Sequence, residues 1–278
     1  MTTSIAAGHG SPDFPRYILD NAAPQTPARF SALAELYDVS TISHLETIGV
    51  TRGWRCWEIG AGPGSIAQWL CRKVEPTGVV LATDIDTRFL QHDRPENLEV
   101  RRHDIVTDPM PDGAFDLVHA RLVLVHLPQR EAVLERMVAA LKPGGWLLAE
   151  EFDSPSLPGQ PDHRHGGAIL KSVLAMRQVM LDQGVDPGFG RSLVMHLRTC
   201  GLECINAEGR ALLARAGSAG TRLMKANLEQ LREAIIASGT VSPQEFADDV
   251  ARLDHEDFMS PLPVMWSVSG RRTAALVT

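Results

Sequence analysis

The chain has 278 residues, of which 44% are hydrophobic and 22% charged, and its formal net charge is −7 at pH 7. This composition is typical of a globular protein with an ample core, and it excludes a disordered chain. The acidic balance gives no electrostatic reason to expect binding to nucleic acid or to an anionic membrane. No apolar run approaches the ~18 residues of a membrane span, and the N-terminus lacks a signal pattern. The four cysteines lack paired C-x-x-C spacing, which indicates reduced packing residues in a cytoplasmic protein.

Residues 1–49 are predicted to form a tail and helices that precede the first strand. Apolar side chains at helical spacing predict one helix around residues 30–37 and a second helix that ends at Gly49. Pro24 and Pro27 are expected to break whatever structure residues 17–20 form.

Residues 54–64, which read WRCWEIGAGPG, are the pattern around which the chain is organised. An apolar run reaches Glu58 and passes into Gly60, Gly62 and Gly64, which predicts a strand, a tight turn and a helix start. Glycine lets the backbone press against a ligand, and the first amides of the helix would face that ligand. The G-x-G-x-G spacing does not meet the dinucleotide fingerprint G-x-G-x-x-G. A carboxylate at the strand end would repel a diphosphate and suits a cationic amino group.

Strands and helices then alternate along the chain. Further strands are predicted at residues 78–84, 98–102, 114–121 and 146–151, with helices over residues 65–74 and from Pro128 to Leu141 between them. This order predicts a parallel, doubly wound sheet with right-handed crossovers. Ligands of such sheets lie at the carboxyl ends of the strands, so one crevice is expected to collect the residues that follow each strand.

Three motifs resemble those of one protein family. The glycine turn resembles motif I of the class I S-adenosylmethionine-dependent methyltransferases. The segment FDLVHARLVLVHLP over residues 115–128 and the LKPGG turn over residues 141–145 also resemble that family. The resemblance implies an α/β fold: a doubly wound, mostly parallel seven-stranded Rossmann-like sheet with N-terminal helices and C-terminal helical insertions that form a cap. We predict lid helices in residues 1–49, the cofactor-binding core in 50–153, and the remaining strands with acceptor-binding insertions in 154–278.

The resemblance implies S-adenosylmethionine as cofactor, and S-adenosylhomocysteine as product, with Glu58 facing the amino group. Asp84 lies 20 residues after Gly64, where a carboxylate can accept hydrogen bonds from both ribose hydroxyls. Ile85 would follow as an apolar wall for the adenine. Asp86 can cap the next helix, so one of the two acids is expected to be structural.

The third strand is followed by a second pair of candidate adenine contacts. The resemblance implies that Asp104 accepts a hydrogen bond from the adenine amino group and that Ile105 lies on the ring face. A loop aspartate is also a common turn former. Tyr17, Asn21 and Arg29 are candidates for a lid over the cofactor, with surface or packing roles as the alternative.

The catalytic candidates are His119, Arg121 and His126. His119 would project from a strand end, beside the cofactor, as a general base. Arg121 would hold an acidic or phenolic acceptor or the cofactor's carboxylate, and its alternative is a surface ion pair. His126 would be a base or a packing residue at a helix start.

Several other ionisable residues are expected near the crevice: Glu150, Glu151, Asp153, His163 and His165. The two histidines of the H-x-H pattern suggest a metal, but no recognisable ligand set accompanies them, so we predict no metal site.

The C-terminal half is predicted to complete the sheet and to cover the crevice. Helices are expected at residues 169–181, 193–200 and 221–237 and after a capping box at 242–245. Residues 202–213 resemble the sixth strand, and residues 259–271 resemble the last, antiparallel strand. The helical insertions would form a cap over the crevice or serve the interface of a homodimer.

These observations favour methyl transfer by direct displacement to an oxygen, nitrogen or carbon atom of a small, apolar or aromatic metabolite. Neither a nucleic-acid module nor a membrane anchor is expected. The alternatives are methylation of RNA or protein, a cofactor-binding protein without catalysis, and a nicotinamide enzyme on a related fold. Fold does not settle the acceptor.

Overall fold

A computed structural model describes residues 17–90, 94–110, 114–155 and 170–273. The helices are α1 (Thr26–Ile48), α2 (Ser65–Val74), α3 (Arg130–Ala139), α4 (Lys171–Asp182), α5 (Phe189–Thr199), α6 (Ala219–Gln230), α7 (Arg232–Ala237) and α8 (Pro243–Arg252). The strands are β1 (Arg55–Ile59), β2 (Val79–Asp84), β3 (Leu98–Arg102), β4 (Phe115–Arg121), β5 (Leu141–Asp153), β6 (Leu202–Arg210), β7 (Leu213–Arg215), β8 (Met259–Pro261) and β9 (Val264–Arg272).

Seven strands form one sheet in the order β3-β2-β1-β4-β5-β9-β6. The first five strands are parallel, and β9 lies antiparallel between β5 and β6. The doubly wound, mostly parallel seven-stranded sheet predicted from the sequence is therefore confirmed. The chain order reverses between β1 and β4, so their carboxyl ends border the crevice in which such sheets bind ligands.

Apolar side chains cover both faces of the sheet. On one face, a cluster around Trp57, Phe115 and Leu147 packs against α3 and α5. On the other face, a cluster around Cys56, Val80 and Leu117 packs against α2 and the end of α1. The near-continuous apolar runs of β1, β2 and β4 follow from this burial, because strands covered on both faces leave no polar side.

The cap has a hydrophobic cluster of its own. It joins the segment before α1 to α4, α6, α7 and α8, with Leu19, Leu228, Ile235 and Phe246 among its buried members. The capping box predicted for α8 is present: the Ser242 hydroxyl accepts from the Glu245 amide, and the Glu245 carboxylate accepts from the Ser242 amide.

Some predicted boundaries were wrong. The two N-terminal helical stretches are one helix, α1, and Pro27 lies in its first turn, where a missing amide hydrogen costs nothing. The stretch predicted as one helix over residues 221–237 is divided into α6 and α7. The LKPGG turn belongs to β5, which begins at Leu141 with an irregular register.

A second small sheet was not predicted. Its strands β7 and β8 come from segments assigned to the sixth and last strands, and they pair with each other next to the cap. All four cysteines are unpaired. Within the described ranges, no helix combines the length and the apolar character that crossing a bilayer requires.

Candidate functional site

A cavity of about 320 Å³ opens at the carboxyl ends of β1, β2 and β4. One wall is the sheet edge, and the opposite wall is the cap. Of the residues predicted for the site, those that line it are Tyr17, Arg29, Glu58, Gly60, Gly62, Asp84, Ile85, Asp104, Ile105, Arg121 and His126. Gly64 and His119 do not line it.

The glycine turn forms the floor of this cavity. Gly60, Gly62 and Gly64 all have positive φ, between 53° and 83°, a conformation that favours glycine. A Cβ on Gly60 would also overlap a methyl group of Val123, and one on Gly64 would lie 2.7 Å from Leu90. Gly64 therefore shapes the turn from outside the cavity, whereas Gly60 and Gly62 present bare backbone to it.

Asp84 is held rigidly where β2 meets the glycine turn. One of its carboxylate oxygens accepts from the Gly62 amide at 2.9 Å, and the other accepts from the Asp86 amide at 3.0 Å. Burial raises the pKa of Asp84, and these two amides oppose that rise. Asp86 accepts from the amide and side chain of Arg88, so it stabilises the turn that follows β2.

Apolar and acidic side chains flank Asp84 along the sheet edge. Ile85 exposes 45% of its surface at the cavity, whereas Ile105 is buried. Asp104 accepts from the Val106 amide at 2.9 Å, which makes it a turn former as well as a cavity residue.

Glu58 belongs to a buried ionic triad. Its Oε2 lies 2.6 Å from His119 Nδ1, and His119 Nε2 lies 3.2 Å from Glu150 Oε2. Burial alone would lower the pKa of His119, but the two carboxylates raise it to about 9. Burial likewise opposes ionisation of Glu150, yet the His119 hydrogen bond and charge lower its pKa to about 2. His119 is thus an imidazolium that donates to both acids, which does not fit the predicted role of a general base.

The triad continues into helix α1. Thr41 donates to Glu150 Oε2 at 2.5 Å, and Arg121 donates to Thr41 at 2.8 Å and to Asp38 at 2.7 Å. The charge of Arg121 is therefore paired, as in the alternative considered for it, although its side chain lines the cavity. These bonds fasten α1 to the carboxyl ends of β4 and β5.

His126 lies in a short 3₁₀ turn that crosses the cavity. Its ring packs edge-on against Tyr17 with centroids 5.0 Å apart, and its buried Nδ1 has no hydrogen-bond partner among the described residues. Burial lowers the pKa of His126 to about 3, with the Arg29 and Arg130 charges adding to the effect. The imidazole is therefore neutral at physiological pH.

Glu151 stabilises the 3₁₀ turn that contains His126. Its Oε1 accepts from the Val123 and Leu124 amides at 3.1 and 2.7 Å. Burial raises the pKa of Glu151 to about 8 in spite of these amides. The turn follows Leu122, whose φ of 56° is unusual for a residue with a side chain and redirects the chain over the cavity.

The other acids expected at the crevice lie away from it. Glu150 belongs to the triad, and Asp153 is buried and paired with Arg191 at 2.5 Å. His163 and His165 lie outside the described residues. Across the described ranges, no group of three or more His, Cys, Asp or Glu side chains is arranged so that it could hold a metal ion.

The cap contributes cavity residues that sequence reasoning missed. They are Leu19, Met176, Arg177, Met180, Leu223, Met224, Asn227 and Leu262. One sequence signal was available for Asn227, because it follows Leu223 by four residues and so shares the apolar face of α6. Without the tertiary structure, nothing pointed that face toward the glycine turn.

Comparison with known proteins agrees with this geometry. Residues 57–147 match a family described as a methyltransferase domain. The chain is 36% identical over 143 residues to methyltransferase str2 of Strobilurus tenacellus, covering 50% of each protein. It is 34% identical over 120 residues to the ubiquinone/menaquinone biosynthesis C-methyltransferase UbiE of Pseudomonas putida, covering 40% of this chain and 47% of the relative. The chain thus spans about half the length of these relatives.

A solved structure gives the same fold over more of the chain. Phosphoethanolamine N-methyltransferase 2 of Haemonchus contortus, in complex with S-adenosyl-L-methionine, aligns with a TM-score of 0.55 at 14% identity. The alignment covers 91% of this chain and 59% of that chain. At this identity the likeness concerns the fold alone.

The sheet order, the reversed β9 and the glycine turn at the carboxyl edge define a class I methyltransferase fold. Together with the matched domain and relatives, they support a class I S-adenosylmethionine-dependent methyltransferase, as the sequence predicted. S-adenosylmethionine is the cofactor of that family.

Proposed function

We propose that the protein transfers a methyl group from S-adenosylmethionine to a small, largely apolar molecule. The observation that carries this proposal is the continuity of one cavity. It joins the glycine turn and Asp84 at the sheet edge to apolar side chains of the cap, such as Met176 and Leu223. Its volume of about 320 Å³ suits a small ligand rather than a polymer.

The sheet edge fits the cofactor. Each carboxylate oxygen of Asp84 accepts one backbone amide and keeps a second lone pair, so the pair can receive two ribose hydroxyls. Glu58, held in place by its contact to His119, would bind the cofactor's amino group. Asp104 would accept from the adenine amino group, with Ile85 and Ile105 against the ring. When bound, the cofactor supplies a methyl group on a sulfonium that is its own leaving group.

The protein's part in the reaction is to align the acceptor and to exclude water. Cap side chains would enclose the acceptor. His126 would orient the acceptor through a hydrogen bond at Nδ1. It would not serve as a general base, because a pKa of about 3 makes this imidazole a weak base. The part of the cavity between the cap and the proposed cofactor site therefore fits an acceptor atom that needs no strong base, or one that releases its proton to solvent. We call this part the chamber.

His119 would act as a positioning residue. It does not line the cavity, but its short contact to Glu58 fixes the carboxylate that would face the amino group. Through Glu150 and Thr41 the same residue links that carboxylate to α1. In this proposal His119 would act on the cofactor through Glu58 and not as the general base predicted from the sequence.

Calorimetry with S-adenosylmethionine and with NAD tests the cofactor. Binding of the first alone supports the proposal, and preferential binding of NAD would overturn it. Labelled S-adenosylmethionine is then incubated with the protein and an extract of small metabolites, and mass spectrometry identifies what gains the methyl group. Asp84→Ala is the matched control. Cofactor binding without any methylated product, in metabolite extracts and in RNA or protein fractions, would favour a protein that binds the cofactor without catalysis.

A further inference from the structure

The acids that line the cavity, Glu58, Asp84 and Asp104, all come from the sheet edge. Arg121 also lines the cavity from that edge, and its charge is paired with Asp38. The cap side contributes two further arginines, Arg29 and Arg177, and no acid among the described residues that line it. If the cofactor lies along the sheet edge, as proposed above, the two arginines face the space left for the acceptor.

Arg29 is a buried cation, and it is 3% exposed. Among the described residues, its guanidinium donates only to neutral oxygens: the Tyr17 hydroxyl at 3.0 Å and the Asn21 amide oxygen at 2.8 Å. The guanidinium lies 4.9 Å from the centre of the Phe30 ring, and Nε has no hydrogen-bond partner in the described part of the chain. Within the described ranges, no carboxylate pairs with it. A buried charge without a counter-ion is costly, so a site that keeps one is prepared for an anion.

Other polar atoms around Arg29 also lack partners. His126 Nδ1 and Asn227 Oδ1 are buried, line the same cavity and make no hydrogen bond among the described residues. Arg177, half-buried on α4, makes no ion pair with any described residue. The remaining cap surface is apolar, with Met176, Met180, Leu223, Met224 and Leu262. Such a chamber matches a ligand with a hydrophobic body and one anionic head.

We infer that the acceptor is an apolar molecule that carries a carboxylate, and that Arg29 and Arg177 are its counter-ions. This inference rests on the proposed function. The cofactor brings one carboxylate of its own, which can neutralise only one of the two arginines, so a cation remains for the acceptor. Asn227 and the neutral His126 then complete the hydrogen bonding of the bound molecule.

The test uses matched acids and amides as probes of the chamber. The full-length protein, saturated with S-adenosylhomocysteine, is titrated with 4-phenylbutyrate and 4-phenylbutyramide, and with octanoate and octanamide. We expect each acid to bind about tenfold more tightly than its amide, because a guanidinium forms charge-assisted bonds with a carboxylate only. Arg29→Gln should reduce this preference to about twofold or less, and Arg29→Lys should keep part of it.

Arg177→Gln repeats the test at a half-buried position where loss of folding is not expected, and it should also lower the preference for acids. Equal affinity for acid and amide in the wild-type protein, including no measurable binding of either, would overturn the inference.

Two further measurements show whether Arg29 binds the carboxylate of the cofactor or that of the acceptor. If Arg29 served the cofactor alone, Arg29→Gln would weaken S-adenosylhomocysteine binding, leave 5′-methylthioadenosine binding unchanged and leave the acid preference intact. That result would overturn the role of Arg29 toward the acceptor. Failure of the wild-type protein to bind S-adenosylhomocysteine would instead overturn the proposed function. Normal binding of this nucleoside without an acid preference would overturn only the inference.

Discussion

Replacing His119 by glutamine probes the buried triad on which cofactor binding is proposed to depend. His119 is fully buried and lies 2.6 Å from Glu58 and 3.2 Å from Glu150. The substitution removes the positive charge and leaves two carboxylates without their cation. Breaking a buried ion pair from one side costs about 3–5 kcal/mol, and we expect a loss of unfolding free energy of that order at pH 7.

The same triad makes the loss depend on pH. The pKa of His119 is raised to about 9, so the stability it contributes is complete below its ordinary pKa of 6.5 and disappears as the pH rises through 9. This rise corresponds to on the order of 3 kcal/mol. The difference in stability between the wild-type protein and His119→Gln should therefore be largest near pH 6 and shrink above pH 9. Chemical denaturation at a series of pH values measures it.

Cofactor affinity supplies a second readout that a purely structural role would not move. Without the imidazolium, Glu58 loses the partner that fixes its carboxylate, and S-adenosylmethionine should bind roughly tenfold more weakly at pH 7. Ser267→Ala is the matched control, since Ser267 donates to Glu150 at 2.6 Å and does not touch Glu58. The double variant with Glu150→Gln removes one charge of each sign and should recover part of the stability. An unchanged affinity at every pH, together with unchanged stability, would refute the reasoning.

Three further predictions concern the walls of the cavity. Asp84→Ala should weaken S-adenosylmethionine binding about a hundredfold or more, because two charge-assisted hydrogen bonds of ~1.5–3 kcal/mol each are lost; near-normal affinity by calorimetry would remove Asp84 from the ribose. Glu151 has a pKa raised to about 8, so the wild-type protein should lose stability as the pH rises from 4.5 to 8. Glu151→Gln should reduce that slope in denaturation curves between pH 5 and pH 8 and leave the part above pH 6.5 that comes from His119; an unaltered slope would contradict the assignment. Gly60→Ala should cost about 1–3 kcal/mol and reduce cofactor affinity, because its φ is 65° and a Cβ would meet Val123; unchanged thermal denaturation would argue against a strained turn.

The catalytic candidates illustrate how far side-chain roles can be inferred from position in a strand. His119 and Arg121 both stand near the end of β4, which predicted that both would reach the crevice. In the sheet, His119 lies against β1 and β5, where Glu58 and Glu150 enclose it, and Arg121 turns toward Asp38 on α1. The position of each side chain depends on a carboxylate that is distant in sequence: Glu58 lies 61 residues from His119, and Asp38 lies 83 residues from Arg121.

The order of strands and helices, the glycine turn and the acid at the end of β2 follow from the sequence alone. They depend on local periodicity and on backbone conformations that only glycine adopts readily, and both patterns can be recognised in a short stretch of sequence. The site opposite the turn does not follow in this way. Arg29, His126, Arg177 and Asn227 share one cavity only because α1, α4 and α6 pack together over the sheet. Burial then determines which of their charges and hydrogen bonds are left for a ligand.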